Sequence, residues 1–166
     1  MIGRDDSSAL LSIARDSIAE ELGAPPLRVP DRPIVRAAVA CFVTLHRAAR
    51  LHGCIGSFGP RPLGISVRHN AIAAAFEDPR AQPLSLAAVD ELEVEISLLS
   101  ARTPLAFDSE QHVREQLRPG VDGLVLEYGR YRGVFLPQVW ESLPRPDEFL
   151  DHLKLRHFSP KTLKAY

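Results

Sequence analysis

The segment Leu92–Leu98 constrains the fold more than any other part of the sequence, because its side chains alternate in character without a break. Every second residue is Leu, Val or Ile, and Glu93, Glu95 and Ser97 fill the positions between them. Successive side chains of a β-strand point to opposite faces. The segment therefore predicts a strand with one buried face and one face that is solvated or lines a cleft, as is typical of an antiparallel sheet.

The other elements lack the regular strand–helix–strand order of a parallel sheet. Helical spacing, caps and proline stops predict helices over residues 6–23, 65–76 and 109–117, a short helix after Pro137 and a last helix from Pro146. Apolar or alternating segments predict strands over residues 39–45, 51–58, 92–98, 124–128 and 131–136. Gly129 favours a type II′ turn between the last two strands. We therefore predict an α+β fold with a mostly antiparallel sheet flanked by helices.

The second of the predicted long helices combines a stripe of larger side chains with a group of alanines. Ile65, His69, Ile72 and Phe76 recur at helical spacing and mark one face. Four nearby alanines keep the helix thin, so that it can lie close to a sheet.

Composition sets the class of protein. The 166 residues, 45% of them hydrophobic, are enough for one domain with a sizeable core. The net charge of −1 gives no overall attraction to nucleic acid or to a membrane surface, and no apolar segment reaches the length of a membrane span. Two cysteines without a CxxC spacing, and a start without the apolar core of a signal peptide, predict a cytoplasmic protein with reduced thiols.

The best candidate for a functional site is the segment Leu51–Ser57, in which Cys54 lies between Gly53 and Gly56. Glycines let another group approach closely, so this thiol is expected to be more accessible than one in a core. His52 is two residues away and would share a strand face with Cys54, which makes a thiol–imidazole contact plausible. Cys54 is therefore a nucleophilic or redox-active thiol with His52 as its base, a non-catalytic cleft residue, or a small buried side chain.

Other chemistry is weakly indicated. Cys41 lies in an apolar strand, where core packing is expected. His46, His52, Cys54 and His69 show no tight ligand spacing, so no metal site is predicted. The phosphate-binding glycine motifs and the GxSxG nucleophile motif are absent from the sequence.

Three polar positions each leave two interpretations open. Glu95 belongs to a carboxylate stripe that either does acid–base work or forms a solvated face. Arg80, in Asp78-Pro79-Arg80, either makes a surface ion pair or stands at a rim where it binds a carboxylate or phosphate with two hydrogen bonds. Gln138 is the one obvious polar side chain in a strand-to-helix turn. It either contacts a ligand or belongs to a turn whose role is packing.

Several segments recur in one order over about residues 38–155. They are Phe42-Val43-Thr44-Leu45, Leu51-His52-Gly53-Cys54-Ile55-Gly56-Ser57, Asn70-Ala71 with Ala74-Ala75, Asp78-Pro79-Arg80, Glu95-Ile96-Ser97, Pro119-Gly120 with Asp122-Gly123-Leu124, Leu136-Pro137-Gln138-Val139-Trp140, and Phe149-Leu150. Together they resemble the AMMECR-domain family, whose bacterial and archaeal members are also called AmmeMemoRadiSam system protein A. The resemblance implies a single domain over residues 1–166, with a larger sheet-containing part, a smaller lobe, and a cleft between them lined by the cysteine motif.

The resemblance does not supply a reaction, because the activity of this family is not established. Genes of the family often neighbour a Memo-like protein and a radical S-adenosylmethionine enzyme. That neighbourhood implies a shared pathway or complex, such as cofactor assembly or modification of a macromolecule. No cofactor is identified.

The sequence departs from the family pattern in three places. The family motif usually has arginine where His52 stands, and if that arginine binds an anion, the histidine would bind it weakly and in a pH-dependent way. Ala81 replaces an aromatic residue after Asp78-Pro79-Arg80, and the region from Lys154 to Tyr166 differs from the family throughout.

The favoured function is a binding or accessory protein whose cleft takes a small molecule, a peptide or a modified residue. The alternatives are an enzyme that uses Cys54 with His52 as base, and a nucleic-acid-associated protein, which the near-zero net charge disfavours. The ligand-binding candidates given by the motif and the resemblance are Gly53, Gly56, Ser57, Asn70, Arg80, Glu95, Ser97 and Gln138.

Overall fold

The computed structural model describes residues 2–129 and 131–157. Its helices are α1 (Arg4–Glu21), α2 (Pro33–Arg36), α3 (Leu63–Phe76), α4 (Glu110–Gln116) and α5 (Pro146–His157). Its strands are β1 (Ala38–Arg47), β2 (Arg50–Pro62), β3 (Leu92–Leu99), β4 (Leu124–Tyr128) and β5 (Tyr131–Phe135). All strand pairs are antiparallel, which confirms the predicted α+β fold. The chain divides into two compact units, Met1–Arg102 and Thr103–Tyr166.

The first unit is built on a three-stranded sheet in the order β2-β1-β3. Alternate side chains of the central strand, Cys41, Val43 and Leu45, are fully buried and pack in one core with α1 and α3. Phe42 and Thr44 point to the opposite side of the sheet, which we call the outer face. One side of this sheet therefore holds the core, and the other side is formed by polar and aromatic residues of the three strands.

Strand β3 has the alternation that its sequence predicts. Leu92 is buried, and Val94, Ile96 and Leu98 pack against the core. The glutamates between them are exposed on the outer face. The 3₁₀ turn Leu86–Glu91 that precedes the strand was not predicted.

Helix α3 lies against the sheet through its small residues. Ala71, Ala74 and Ala75 are buried in the core, as the predicted thin helix requires. The stripe of larger residues lies mostly outside, with Ile65 62% and Phe76 40% exposed. The close approach to the sheet explains the difference, because only alanine and other small side chains fit in the narrow space between helix and strand.

The β1–β2 hairpin contains a tight turn and an irregular pair of strands. Ala48 and Ala49 both have positive φ, 49° and 59°, as in a type I′ turn. The register shifts between Leu45 and His46. Gly53 is opposite Leu45, whereas Leu51 is opposite His46. His52 is therefore an extra residue on β2, a β-bulge.

Helix α1 begins two residues earlier than predicted. Gly3 is its N-cap, and Asp5 and Asp6 lie in its first turn, where carboxylates stabilise the helix dipole. The carboxylate of Asp6 also accepts a hydrogen bond from Arg32 at 2.7 Å. Gly23 follows the helix with φ 95°, as expected for a C-terminal glycine. No helix among the described residues is both long and apolar enough to cross a membrane.

The second unit combines the β4–β5 hairpin with α4, α5 and a 3₁₀ turn at Pro137–Glu141. Trp140 stacks on Phe149 with ring centroids 3.8 Å apart, and its indole Nε1 donates to the carbonyl of Asp122 at 2.7 Å. Gly129 has φ 56°, but Arg130 lies outside the described residues, so the turn type stays a prediction. The divergent segment after His157 also lies outside them.

Candidate functional site

Cys54 lies on the outer face in a row of three directly opposed residues. Thr44 is opposite Cys54, and Glu95 on β3 is opposite Thr44. The Thr44 hydroxyl donates to the Cys54 Sγ, with 3.1 Å between oxygen and sulfur. The Ser97 hydroxyl donates to Glu95 at 3.3 Å. Because neighbouring strands lie about 5 Å apart, this Cys54–Thr44–Glu95 row places a thiol, a hydroxyl and a carboxylate within about 10 Å.

A buried carboxylate fixes the backbone of Cys54. The Asp78 side chain is 2% exposed, and its Oδ2 accepts the Cys54 backbone N–H at 2.9 Å. Arg80 adds its backbone N–H at 2.9 Å and a two-pronged guanidinium contact at 2.8 and 2.6 Å. The loop after α3 is therefore tied to β2 beside the thiol.

This pair has a clear electrostatic character. The hydrogen bonds from the Arg80 guanidinium hold the pKa of Asp78 well below its usual range, and the two backbone N–H groups act in the same direction. The same contact raises the pKa of Arg80, and the nearby Cys54 raises it further. The Arg80 side chain is 53% exposed, so the outer part of its guanidinium faces solvent beside the thiol.

The contact with Asp78 also defines the geometry of the row. Because the Cys54 N–H is directed at Asp78 and away from β1, Thr44 and Cys54 form a non-hydrogen-bonded pair. Side chains approach each other most closely in pairs of this type. That closeness accounts for the contact between the Thr44 hydroxyl and the Cys54 sulfur.

His52 does not face Cys54, so the prediction that both side chains share a strand face is wrong. The bulge turns His52 toward α3, where it is 4% exposed and its Nε2 lies 3.1 Å from the carbonyl oxygen of Ala75. A carbonyl only accepts, so Nε2 carries the hydrogen, and the imidazole satisfies a carbonyl in the last turn of the helix. Within the described part of the chain no hydrogen bond joins His52 to Cys54.

The histidine that replaces the family arginine therefore has a structural contact. Arginine and histidine both offer N–H donors for a helix carbonyl, so the replacement of arginine by His52 keeps a donor at the end of α3. The anion contact considered for this position is not supported, because the ring lies buried against Ala75.

The two glycines of the motif permit close approach, and neither has positive φ. A Cβ on Gly53 would lie 2.0 Å from the carbonyl oxygen of Ala74 in α3. A Cβ on Gly56 would lie 2.2 Å from the Phe42 ring on the outer face. Gly53 therefore lets β2 touch the helix, and Gly56 makes room for an aromatic ring beside the Cys54 row.

The remaining candidates lie elsewhere. Ser57 is opposite the buried Cys41, on the core side of β2. Asn70 is 2% exposed, and its Nδ2 donates to the Cys41 carbonyl at 3.0 Å, which ties α3 to β1. Burial raises the pKa of the Cys41 thiol. Gln138 belongs to the second unit, where it lines a cavity of about 450 Å³ with Trp140.

The structure thus brings together Cys54, Gly56, Glu95 and Ser97 on the outer face, with Arg80 at the β2 edge. Sequence reasoning missed Thr44, although it is the one polar residue of the predicted strand over residues 39–45. Both cysteines are unpaired thiols. Among the described residues no group of three or more His, Cys, Asp or Glu side chains could hold a metal ion.

Comparisons with known proteins agree on one family. The AMMECR1 family model matches residues 11–165. A protein of Methanothermobacter thermautotrophicus is 40% identical over 158 residues, covering 90% of this chain and 80% of its own length. A protein of Thermofilum pendens is 34% identical, with 93% and 80% covered. The crystal structure of the uncharacterized protein PH0010 from Pyrococcus horikoshii has a TM-score of 0.77 at 34% identity and covers 92% of this chain and 80% of its own.

Proposed function

The chain belongs to the AMMECR1 family, and we propose that it is a cytoplasmic binding or accessory protein. Its ligand, a small molecule or a peptide group, would lie over the Cys54–Thr44–Glu95 row of the outer face. The observation that carries this proposal is the set of groups around the thiol. The Cys54 sulfur contacts a hydroxyl, and the nearby imidazole is committed to a helix carbonyl.

This set suits binding better than catalysis. Activation of a thiol by a general base requires that base within hydrogen-bond reach, whereas a binding face needs several donors and acceptors on a rigid support. The row lies on three paired strands, and the Asp78 carboxylate fixes the Cys54 backbone. Such support keeps the positions of the polar groups constant.

Charge indicates which ligands to try first. The Glu95 carboxylate lies at one end of the row, and at the other end the Arg80 guanidinium is paired with Asp78 but keeps its outer part in solvent. A ligand with a cationic group at the Glu95 end and an anionic group at the Arg80 end would complement both ends. Short zwitterionic peptides meet this description and are the first probes to test.

The test is a thermal-shift screen of short zwitterionic peptides against the whole chain. A bound ligand stabilises the native state by mass action. A probe that raises the Tm of the wild type should lose its effect in Cys54→Ala and in Glu95→Gln. Glu93→Gln is the matched control, since Glu93 lies on the same strand and face but outside the row. A probe that stabilises all four proteins equally would refute this location.

A thiol enzyme is the second candidate, favoured by two groups beside Cys54. The Thr44 hydroxyl donates to the Cys54 sulfur, and the Arg80 guanidinium lies near it. Iodoacetamide alkylation tests it, with Cys41 as an internal control because that thiol is fully buried. Rapid alkylation of Cys54 near neutral pH would support the enzyme. A Cys54 that reacts no faster than a model thiol would count against it.

We also propose that the protein works beside a Memo-like protein or a radical S-adenosylmethionine enzyme. The support is membership of the family alone. Mixing the purified chain with each purified candidate from the same organism and measuring co-elution by size exclusion is the direct test. Separate elution of both mixtures at micromolar concentration would remove this part of the proposal.

A further inference from the structure

Among the residues that the structure describes, no strand lies beside the outer edge of β3 in the three-stranded sheet. Strand β3 pairs with β1 on one side, and the sheet order ends at β3 on the other. Edge strands present backbone donors and acceptors to any extended chain that comes near, and proteins usually blunt them with Pro, charged side chains such as Lys, bulges or a covering element. The eight residues of β3 contain no Pro, Gly or Lys, and their pairing with β1 is regular.

Two contacts establish which backbone groups of β3 point outward. The Cys54 N–H is directed away from β1, so the backbone of Thr44 is directed toward β3 and pairs with that of Glu95. Residues on either side of Glu95 therefore direct their N–H and C=O groups to the open edge. Leu92 is separated from Val94 by one residue, so its carbonyl should also point to the open edge. It does, because it accepts a hydrogen bond from Arg15 on that side at 2.9 Å.

The outward backbone groups are those of Val94, Ile96 and Leu98. Within the described residues no hydrogen bond is made to them. Arg15 of α1 closes only the start of the edge, at Leu92. Beyond that contact a crevice of about 250 Å³ lies between the N-terminal half of α1 and β3. Its lining includes Leu10 and Leu11 of the helix, and Val94, Ile96 and Leu98 of the strand.

From this edge we infer a docking site for an extended, basic peptide segment that adds to β3 as a fourth strand. Its backbone would pair with Val94, Ile96 and Leu98, and its apolar side chains at alternate positions would enter the crevice beside Leu10 and Leu11. The other side chains would lie on the outer face, and opposite-charge pairs across strands are stabilising. Strand addition of this kind takes its affinity from the main chain and its specificity from alternate side chains.

The charge of the strand decides the partner. Glu93 is exposed on the outer face, at a position that an added strand would meet. A segment with Lys or Arg opposite Glu93 would form an opposite-charge pair across the two strands, which is stabilising. The site does not depend on the ligand proposed for the Cys54 row.

The test uses two labelled peptides as long as β3, eight residues. One alternates lysine and valine, and the other contains the same residues in two blocks. Fluorescence anisotropy with the full chain should show at least about tenfold tighter binding of the alternating peptide. Equal affinity for the two would mean charge attraction alone and would overturn the inference.

Hydrogen exchange tests the pairing without a mutation. In the unbound chain the outward amides of Val94, Ile96 and Leu98 should exchange quickly, whereas those of Glu95 and Ser97 are in the ladder with β1. The alternating peptide should slow the three outward amides. If they are unchanged at saturating peptide, the peptide binds elsewhere.

Two variants complete the test. Ile96→Pro removes an outward N–H but leaves the ladder with β1 intact, so proline is compatible with this edge position, and the alternating peptide should lose at least about tenfold in affinity. Glu93→Lys keeps the backbone and should weaken the lysine peptide while favouring a glutamate–valine peptide. Circular dichroism checks the fold of both. A wild-type dimer that Ile96→Pro dissociates would assign the edge to self-association and overturn the inference.

Discussion

Gly53→Ala tests the close contact between β2 and α3, and it should be among the most destabilising single-methyl additions in the chain. The new Cβ would lie 2.0 Å from the Ala74 carbonyl oxygen and 3.0 Å from the Asp78 Cβ. An ordinary contact is about 3.4 Å, so the strand must move away from the helix by more than 1 Å. Neither atom can move away easily, because the Ala74 oxygen belongs to the helix backbone and the Asp78 side chain is held by its hydrogen bonds.

The magnitude follows from two losses. Overpacking of a tight interior costs about 1–3 kcal/mol, and more where nothing can yield. Moving β2 also lengthens the bonds from Cys54 to Asp78 and from His52 to Ala75, each worth about 1 kcal/mol. We expect a loss of about 4 kcal/mol in the free energy of unfolding of the first unit.

Gly56→Ala is the matched comparison on the other face. Its Cβ would lie 2.2 Å from the Phe42 ring, which is a similar clash by distance. The ring belongs to a half-buried side chain that can rotate, so the cost should be about 1–2 kcal/mol. Adding Phe42→Ala should reduce the cost of Gly56→Ala in a double-mutant cycle. No side-chain truncation can rescue Gly53→Ala.

The assay is urea denaturation followed by far-UV circular dichroism and by labelling of Cys41. That thiol is fully buried in the first unit, so it reports unfolding there. Tryptophan fluorescence is the wrong probe, because Trp140 belongs to the second unit. The reasoning is refuted if Gly53→Ala and Gly56→Ala are equally stable, or if Gly53→Ala costs less than about 1 kcal/mol.

Three further predictions concern single contacts. The pKa of Asp78 is lowered in the folded chain, so its contribution to stability is full above the unfolded pKa of about 4 and disappears as pH falls through the lower folded value. Asp78→Asn should therefore cost about 2 kcal/mol at pH 7 in denaturant titrations and progressively less below about pH 4; a pH-independent difference would contradict the ion pair with Arg80. Ala49→Gly should raise the free energy of unfolding by about 0.5–1 kcal/mol, because glycine adopts the positive φ of this turn without strain, and an unchanged free energy of unfolding would argue against the turn geometry. Ser109→Ala should cost about 1 kcal/mol measured in the second unit by fluorescence, because the Ser109 hydroxyl caps α4, and no loss would mean that the cap is replaced by water.

The sequence was sufficient for the elements whose pattern is local. The alternation of Leu92–Leu98 predicted both the strand and its two faces, because a period of two requires no knowledge of the partner strand. The thin alanine face of α3 was also recognisable. The stripe of Ile65 and Phe76 was not a buried face, because the space beside β2 admits only small side chains. Such a limit is imposed by the strand and is not visible in the helix sequence.

The candidate site was located but not resolved by the sequence. Cys54 and Arg80 were identified as candidates, and the structure links them through Asp78. What the sequence could not give was the partner of Cys54, because that depends on the register of two strands. Regular pairing from the turn at Ala48–Ala49 would place Gly53 opposite Thr44.

The bulge at His52 changes this register and with it the chemistry of the site. Without it, Cys54 would lie opposite Val43, whose side chain is fully buried in the core. The one extra residue turns Cys54 to the outer face opposite Thr44, while His52 stays on the side of α3. A one-residue shift moves every following side chain to the other face. The same irregularity therefore places the thiol on the outer face and keeps the imidazole away from it, which favours a binding face over a thiol–imidazole pair.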